Sequence, residues 1–177
     1  YVLGRYERVP VESTEKTVGR GGLDLSYSLT PGLTGVLTAN TDFAETEVDT
    51  RQINLTRFDL FFPEKRPFFL EGSNLFDFGL GLGEDFIPFY SRRIGLVNEG
   101  TVPINWGAKV LGHAGRFGVS ALDIQMGDTP TSEPVNLAAA GVTCDATDSL
   151  RVGALGTHGD PEGKSDNGLA GLDAIWH

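Results

Sequence analysis

The sequence predicts an all-β fold, an antiparallel up-and-down meander carrying one aromatic and charged insert, and three observations predict it. Apolar and small polar residues alternate through most of the 177 residues, as they do when successive side chains of a strand face opposite sides of a sheet. Glycine accounts for 24 of the 177 residues, roughly double the usual share of about 7%, which suits turns, bulges and close backbone approach rather than helices. Helix signals gather in a single stretch, Thr50–Phe61.

Taken in order, the chain opens with a short strand, Tyr1–Tyr6. Leu23, Leu25, Tyr27 and Leu29 then share one face of a strand whose other face carries Asp24, Ser26 and Ser28. Thr30-Pro31-Gly32 supplies a tight turn. Leu33, Gly35, Leu37 and Ala39 return opposite Thr34, Thr38 and Asn40, with Val36 breaking the pattern. Thr50–Phe61 predicts a short helix, opened by Asp49 as N-cap and closed before Pro63, with strand the competing reading for Gln52–Thr56. Leu75–Phe86, rich in glycine and aromatics, reads as an irregular loop, and Phe89–Ile94 as a short strand. A second hairpin joins Ile104–Leu111 to Phe117–Ile124 across Gly112–Arg116. The last strands are Val135–Thr143, Leu150–Thr157 and Leu169–Trp176, separated by Asp145–Ser149 and by the polar loop Gly159–Asn167.

The stretch Asn54–Gly72 is unlike the rest. Phe58, Phe61, Phe62, Phe68 and Phe69 alternate there with Asp59, Glu64, Lys65, Arg66 and Glu71. Pro63 and Pro67 forbid a continuous helix or a central strand through its middle. It therefore predicts a bent, packed element in which Phe61, Phe62, Phe68 and Phe69 form one cluster. Charges drawn in with the rings must be paired or hydrated, because an unpaired buried charge is costly. The organisation expected is a single domain over 1–177, with residues 50–86 as an internal insert.

Composition excludes some functions. A net charge of -10 argues against a nucleic-acid surface, which would be basic. No run of apolar residues is long enough for a spanning helix, whereas spanning strands carry only a weak alternating signal and stay open as a reading. Cys144, the single cysteine, rules out an internal disulfide. Alternation alone does not separate a soluble sandwich, whose apolar face turns inward, from a membrane barrel, whose apolar face turns to lipid. Ser26, Ser28, Thr34, Thr38 and Asn40, with Asp24, Lys109 and Asp123, suit a wet lumen. Tyr27, Tyr90, Trp106 and Trp176 suit interfacial girdles.

The runs GLDLSYSLTPGLTGVLTANTDFAETEVD (22–49), QINLTRFDLFFPEKRPFFLEGSNLFDFG (52–79) and FYSRRIG (89–95) resemble a bacterial barrel family, domain of unknown function 5916. The resemblance is close from about Tyr1 to Ile124 and looser to His177. It implies an outer-membrane β-barrel, so the bilayer as partner and the bacterial outer membrane as location. Members of that family often follow a family-9-like carbohydrate-binding module, so a glycan partner is implied through a module this sequence does not contain. Asp49-Thr50 stands where the family has Asp-Pro, which weakens the helix start. The chain begins without Met and stops within the strand-like Ile175-Trp176-His177, which predicts a piece of a longer protein. About eight strands would only fill their own interior, so the complete barrel is expected to be larger.

Two constellations are candidates for chemistry. Asp42, Glu45, Glu47 and Asp49 could bind a hard cation, although EF-hand spacing is absent and a solvated acidic face is the plainer reading. Arg57, Glu64, Lys65, Arg66 and Glu71, with Arg92 and Arg93, form a network that either anchors the aromatic insert to a polar wall or rings a constriction. Anchoring is the preferred reading, and the two roles are compatible. His113, His158 and His177 show no ligand spacing, and no nucleophile elbow or phosphate-binding loop occurs, so no catalytic residue, metal or cofactor is expected. The functional expectation is a barrel for passage or surface attachment linked to carbohydrate handling. A carbohydrate-active hydrolase, which needs two carboxylates across one cleft, and a soluble β-sandwich that binds a partner are the alternatives.

Overall fold

The computed structural model describes residues 2–9, 18–41, 63–78, 87–97, 100–128 and 133–176. Strands β1 (Val2–Val9), β2 (Val18–Thr30) and β3 (Leu33–Thr41) come first. A single-turn helix, α1 (Pro67–Leu70), 3-10 turns at Ser73–Phe76 and Ser91–Arg93, and a minimal hairpin of β4 (Leu96–Val97) and β5 (Gly100–Thr101) follow. Then come β6 (Ile104–Ala114), β7 (Phe117–Met126), β8 (Asn136–Thr147), β9 (Leu150–His158) and β10 (Gly168–Trp176). Eight strands make one antiparallel sheet in the order β1-β2-β3-β6-β7-β8-β9-β10. The fold is thus the all-β meander the alternation predicts, and the insert interrupts it between two strands that remain neighbours. Among the described residues β1 and β10 pair on one side only.

Both predicted hairpins form. Tight turns at Pro31-Gly32 and Gly115-Arg116 join them, the second shorter than predicted because β6 runs on to Ala114 and Gly115 reverses the chain at φ 62. Likewise β8 extends to Thr147, leaving only Asp148-Ser149 as the turn. The expected strand at Phe89–Ile94 is not one. Ser91–Arg93 is a 3-10 turn, in which Ile94 N donates to Ser91 O at 2.9 Å. Its physical cause is Arg66, whose guanidinium takes the carbonyls of both Ser91 and Ile94; an extended strand would alternate those carbonyls away from one donor. The helix expected at Thr50–Phe61 lies outside the described residues.

The register divides the sheet into two unlike faces. Asp24 pairs with Thr38, Thr38 with Gly107, and Ser26 with Val36, which in turn pairs with Lys109. On β7 to β10 the same face carries Ser120, Leu122, Ile124, Leu137, Ala139, Gly141, Leu155 and Gly171. The insert packs against this face and the core lies between them: Phe68, Phe69, Phe76 and Ile94 meet Val36, Leu122, Ile124, Leu137, Ala139 and Leu155. Val36 breaks the apolar alternation because it faces the insert, at 6% exposure. The opposite face carries the large apolar side chains in the open: Leu37 is 53% exposed, Tyr27 68% and Leu172 84%.

Candidate functional site

The insert's charges come together because two prolines set its backbone. The residue before a proline is driven to extended conformation, and Arg66 sits at φ -79, ψ 124 just before Pro67, which opens α1 where its missing N–H costs nothing. Arg66 O then accepts from Phe69 N and Leu70 N, both at 3.0 Å. That geometry sends the Arg66 side chain back towards Glu64. Its Nε donates to Glu64 Oε1 and an Nη to Glu64 Oε2, each at 2.8 Å, a bidentate pair. The other donors reach Ser91 O at 2.7 Å and Ile94 O, and the guanidinium lies 4.2 Å from the Phe69 ring centroid. The Arg66 side chain is 1% exposed.

Glu64 is the counterpart. Its carboxylate also accepts from the backbone N–H groups of Lys65 and Arg66, each at 3.0 Å, and from the Ser91 hydroxyl at 2.7 Å, while an Arg92 Nη stands 3.9 Å away. Burial pushes the Glu64 carboxyl up, but the Arg66 hydrogen bonds and charge together with the Ser91 hydroxyl outweigh it and hold it at about 2. At neutral pH the Glu64 side chain is a fixed carboxylate beside the Arg66 guanidinium. The joint ties residues 64–66 to 91–94.

A second joint fastens the insert to the sheet. Lys109, on β6 and 1% exposed at its side chain, donates through Nζ to Phe68 O and, at 2.8 Å, to Glu71 O. These are carbonyls at the end of α1, where a cation complements the helix terminus. The Glu71 carboxylate lies 3.8 Å from Nζ, and the Phe68 ring centroid 4.9 Å. On β7, Ser120 Oγ donates to Leu75 O at 2.8 Å. The row Leu111–Ser120–Gly141–Leu155–Gly171 runs across the strands, and the insert follows it. A Cβ on Gly72 would touch Leu111, one on Gly141 would come 3.1 Å from Leu75 O, and one on Gly171 2.6 Å from the Phe78 ring.

The structure thus brings Glu64, Arg66 and Arg92 into one cluster and joins Glu71 to Lys109. Lys65 contributes its backbone N–H and Arg93 is exposed. Arg57 and the acidic candidates Asp42, Glu45, Glu47 and Asp49 lie outside the described residues, as do Phe61 and Phe62. Phe68 and Phe69 meet edge-on, with centroids 5.1 Å apart. Lys109, Ser91 and Ser120 complete the site without having been counted in it. A lysine in register with Val36 and Leu122 was a usable signal for Lys109; Ser91 carried none. Asp123 is corrected: it pairs with Ala108 and Ala138 on the open apolar face and accepts from Asn136 Nδ2 at 2.7 Å. Tyr90 caps the 3-10 turn Ser91–Arg93 in the connection between β3 and β6, outside the large sheet.

The family model described as Domain of unknown function (DUF5916) matches residues 1–108. That span holds β1 to β5, the start of β6 and the whole insert. No curated protein and no solved structure matches the chain.

Proposed function

The chain belongs to the DUF5916 family, and from that premise we propose that it is wall and constriction of a bacterial outer-membrane β-barrel that passes a solute. One observation carries the reading: the face turned away from the insert leaves large apolar side chains such as Leu37, Tyr27 and Leu172 exposed, although the sheet already buries a core against the insert on its other face. A soluble fold with one covered apolar face turns a polar face to water, whereas here the second face is apolar as well. A barrel in lipid needs an outward face of this kind, apolar and almost free of charge. Among the described side chains of β2, β3 and β6–β10, Asp123 is the one Asp, Glu, Lys or Arg on the outward face.

The height of that face fits. Trp106 and Phe117 both face outward, and Phe117 pairs with Ala114. Eight residues along β6 span about 27 Å at ~3.4 Å each, or about 21 Å along the membrane normal at a tilt of ~40°, close to an apolar band of ~25 Å. Trp176, 77% exposed, lies beyond Phe117 at the same end of the sheet. Tyr27, paired with Gly35 and through it level with Val110, stands mid-strand instead of in a girdle.

Passage is favoured over surface attachment because the insert lies across the inner face from Gly107 to Gly171. A barrel of eight strands has room inside for side chains only. Because the insert's own backbone occupies the inner face, the closed barrel needs further strands, and the insert then narrows a wider lumen. The link to carbohydrate rests on the resemblance and names no solute.

The test is fractionation and conductance. The protein expressed in a Gram-negative host should stay in the outer membrane through an alkaline wash and form discrete conductance steps in planar bilayers. Release by salt or alkali would overturn the barrel. A membrane-resident protein without conductance would overturn passage alone.

A further inference from the structure

The two rims of the sheet differ in kind. At one rim the connections are the two-residue turns Pro31-Gly32, Gly115-Arg116 and Asp148-Ser149. At the other they are residues 10–17, 42–103, 127–135 and 159–167. No long connection falls at the first rim and no tight turn at the second. Both ends of the insert belong to the long-connection rim, since Thr41 pairs with Ile104 where β3 ends and β6 begins.

The charged joint lies at that rim as well. Arg66 binds Ile94 O; next to it, Gly95 N donates to Met126 Sδ, and Gly95 O accepts from Val102 N at 2.9 Å. Met126 ends β7 and pairs with Ile104. Gly127 N closes the rim onto Pro103 O at 2.8 Å. The 159–167 loop at this rim is built as well: Gly159 N donates to Asn167 O at 2.7 Å, and the Asp160 carboxylate accepts from Glu162 N at 3.0 Å and from the Ser165 hydroxyl at 3.0 Å.

Outer-membrane barrels place short turns in the periplasm and long connections outside. We propose, resting on the barrel reading above, that the long-connection rim faces the cell exterior, so that the insert enters the lumen from outside and the Glu64–Arg66–Ser91 joint stands at the outer mouth. Counted from the medium, the buried charged joint then lies nearest the mouth and the Lys109-held stretch of the insert deeper in. The Asp148-Ser149 and Gly115-Arg116 turns meet the periplasm.

Accessibility in whole cells tests this. In a Cys144→Ala background, Lys164→Cys and Asp148→Cys are each exposed in the fold and lie at opposite rims. A polyethylene-glycol maleimide too large for porins should label Lys164→Cys on intact cells and should fail to label Asp148→Cys until the outer membrane is permeabilised. The reverse pattern, or labelling of both or neither in intact cells by a protein that resists alkaline extraction, would overturn the orientation while leaving the barrel standing. Loss of the protein to the alkaline wash would overturn the barrel, and the orientation with it.

Discussion

Replacing Lys109 by Met keeps a long apolar stem but removes the ammonium that Phe68 O and Glu71 O share. Each carbonyl then stays in place with its donor gone, at a cost of about 1–3 kcal/mol apiece. A loss of roughly 2–4 kcal/mol by denaturant titration in detergent is expected, and a change below about 1 kcal/mol would mean that the insert is not held at this point. Glu71→Gln should cost well under about 1 kcal/mol, because that carboxylate is half exposed and 3.8 Å from Nζ. Glu64 makes the matching pH prediction. Its folded pKa of about 2 lies below the ordinary 4.5, so its stabilisation is complete above 4.5 and is lost as pH falls towards 2. At about 1.4 kcal/mol per pH unit the contribution is on the order of 3 kcal/mol. Wild type should lose stability between pH 4.5 and 2 by that amount more than Glu64→Gln, and parallel profiles would place the acid sensitivity elsewhere. Residue chemistry was legible in part: Pro63 and Pro67 flanking Glu64-Lys65-Arg66 foretold a bent element with forced pairing. The partners Ser91 and Lys109 are distant in sequence, and only the fold could bring them in.

At the scale of elements, some glycines mark turns, as Gly32 and Gly115 do, and others are the close approaches that so much glycine suits. Gly141 and Gly171 sit within strands on the inner face, and their missing side chains make room for Leu75 and Phe78. Gly171→Val should push Phe78 off β10, since even a Cβ would stand 2.6 Å from its ring; overpacking of this sort costs about 1–3 kcal/mol. Gly168→Ala on the same strand meets only Thr157 O at 3.6 Å and serves as the neutral control. The readout is limited proteolysis of the connection between β3 and β6: faster cutting in Gly171→Val than in Gly168→Ala is expected, and equal rates would refute the docking of the insert across β10. Strands were readable because their period of two survives in any register. What alternation leaves open is which face looks inward, since a small-polar row reads the same whether it meets water or a docked segment. Phe89–Ile94 shows a different failure, a run of Phe-Tyr-Ser-Arg-Arg-Ile read as a strand whose backbone is turned aside by one buried guanidinium.

For the whole molecule, the decisive quantity is the cost of a charge on each face, because lipid and water answer it with opposite signs. Val110 lies on the outward face midway between Trp106 and Ala114, paired with Gly35 and Ala121. Ser28 lies on the inward face and is exposed. In a bilayer, Val110→Arg puts a guanidinium near the midplane, which costs about 2–4 kcal/mol, whereas Ser28→Arg points into a hydrated lumen and should change stability by under about 0.5 kcal/mol. In water the order inverts: an arginine over an exposed apolar face is harmless and improves solubility. Refolding both variants into phospholipid vesicles under a urea gradient separates the cases. A selective loss for Val110→Arg fits the lipid-facing wall, and two unchanged midpoints would return the sheet to the soluble class. The charge asymmetry has to be measured at this scale because no single residue carries it. It arises from the outward rows of seven strands together, all but free of charge, set against an inner face whose Lys109 is held by carbonyls of the insert that covers it.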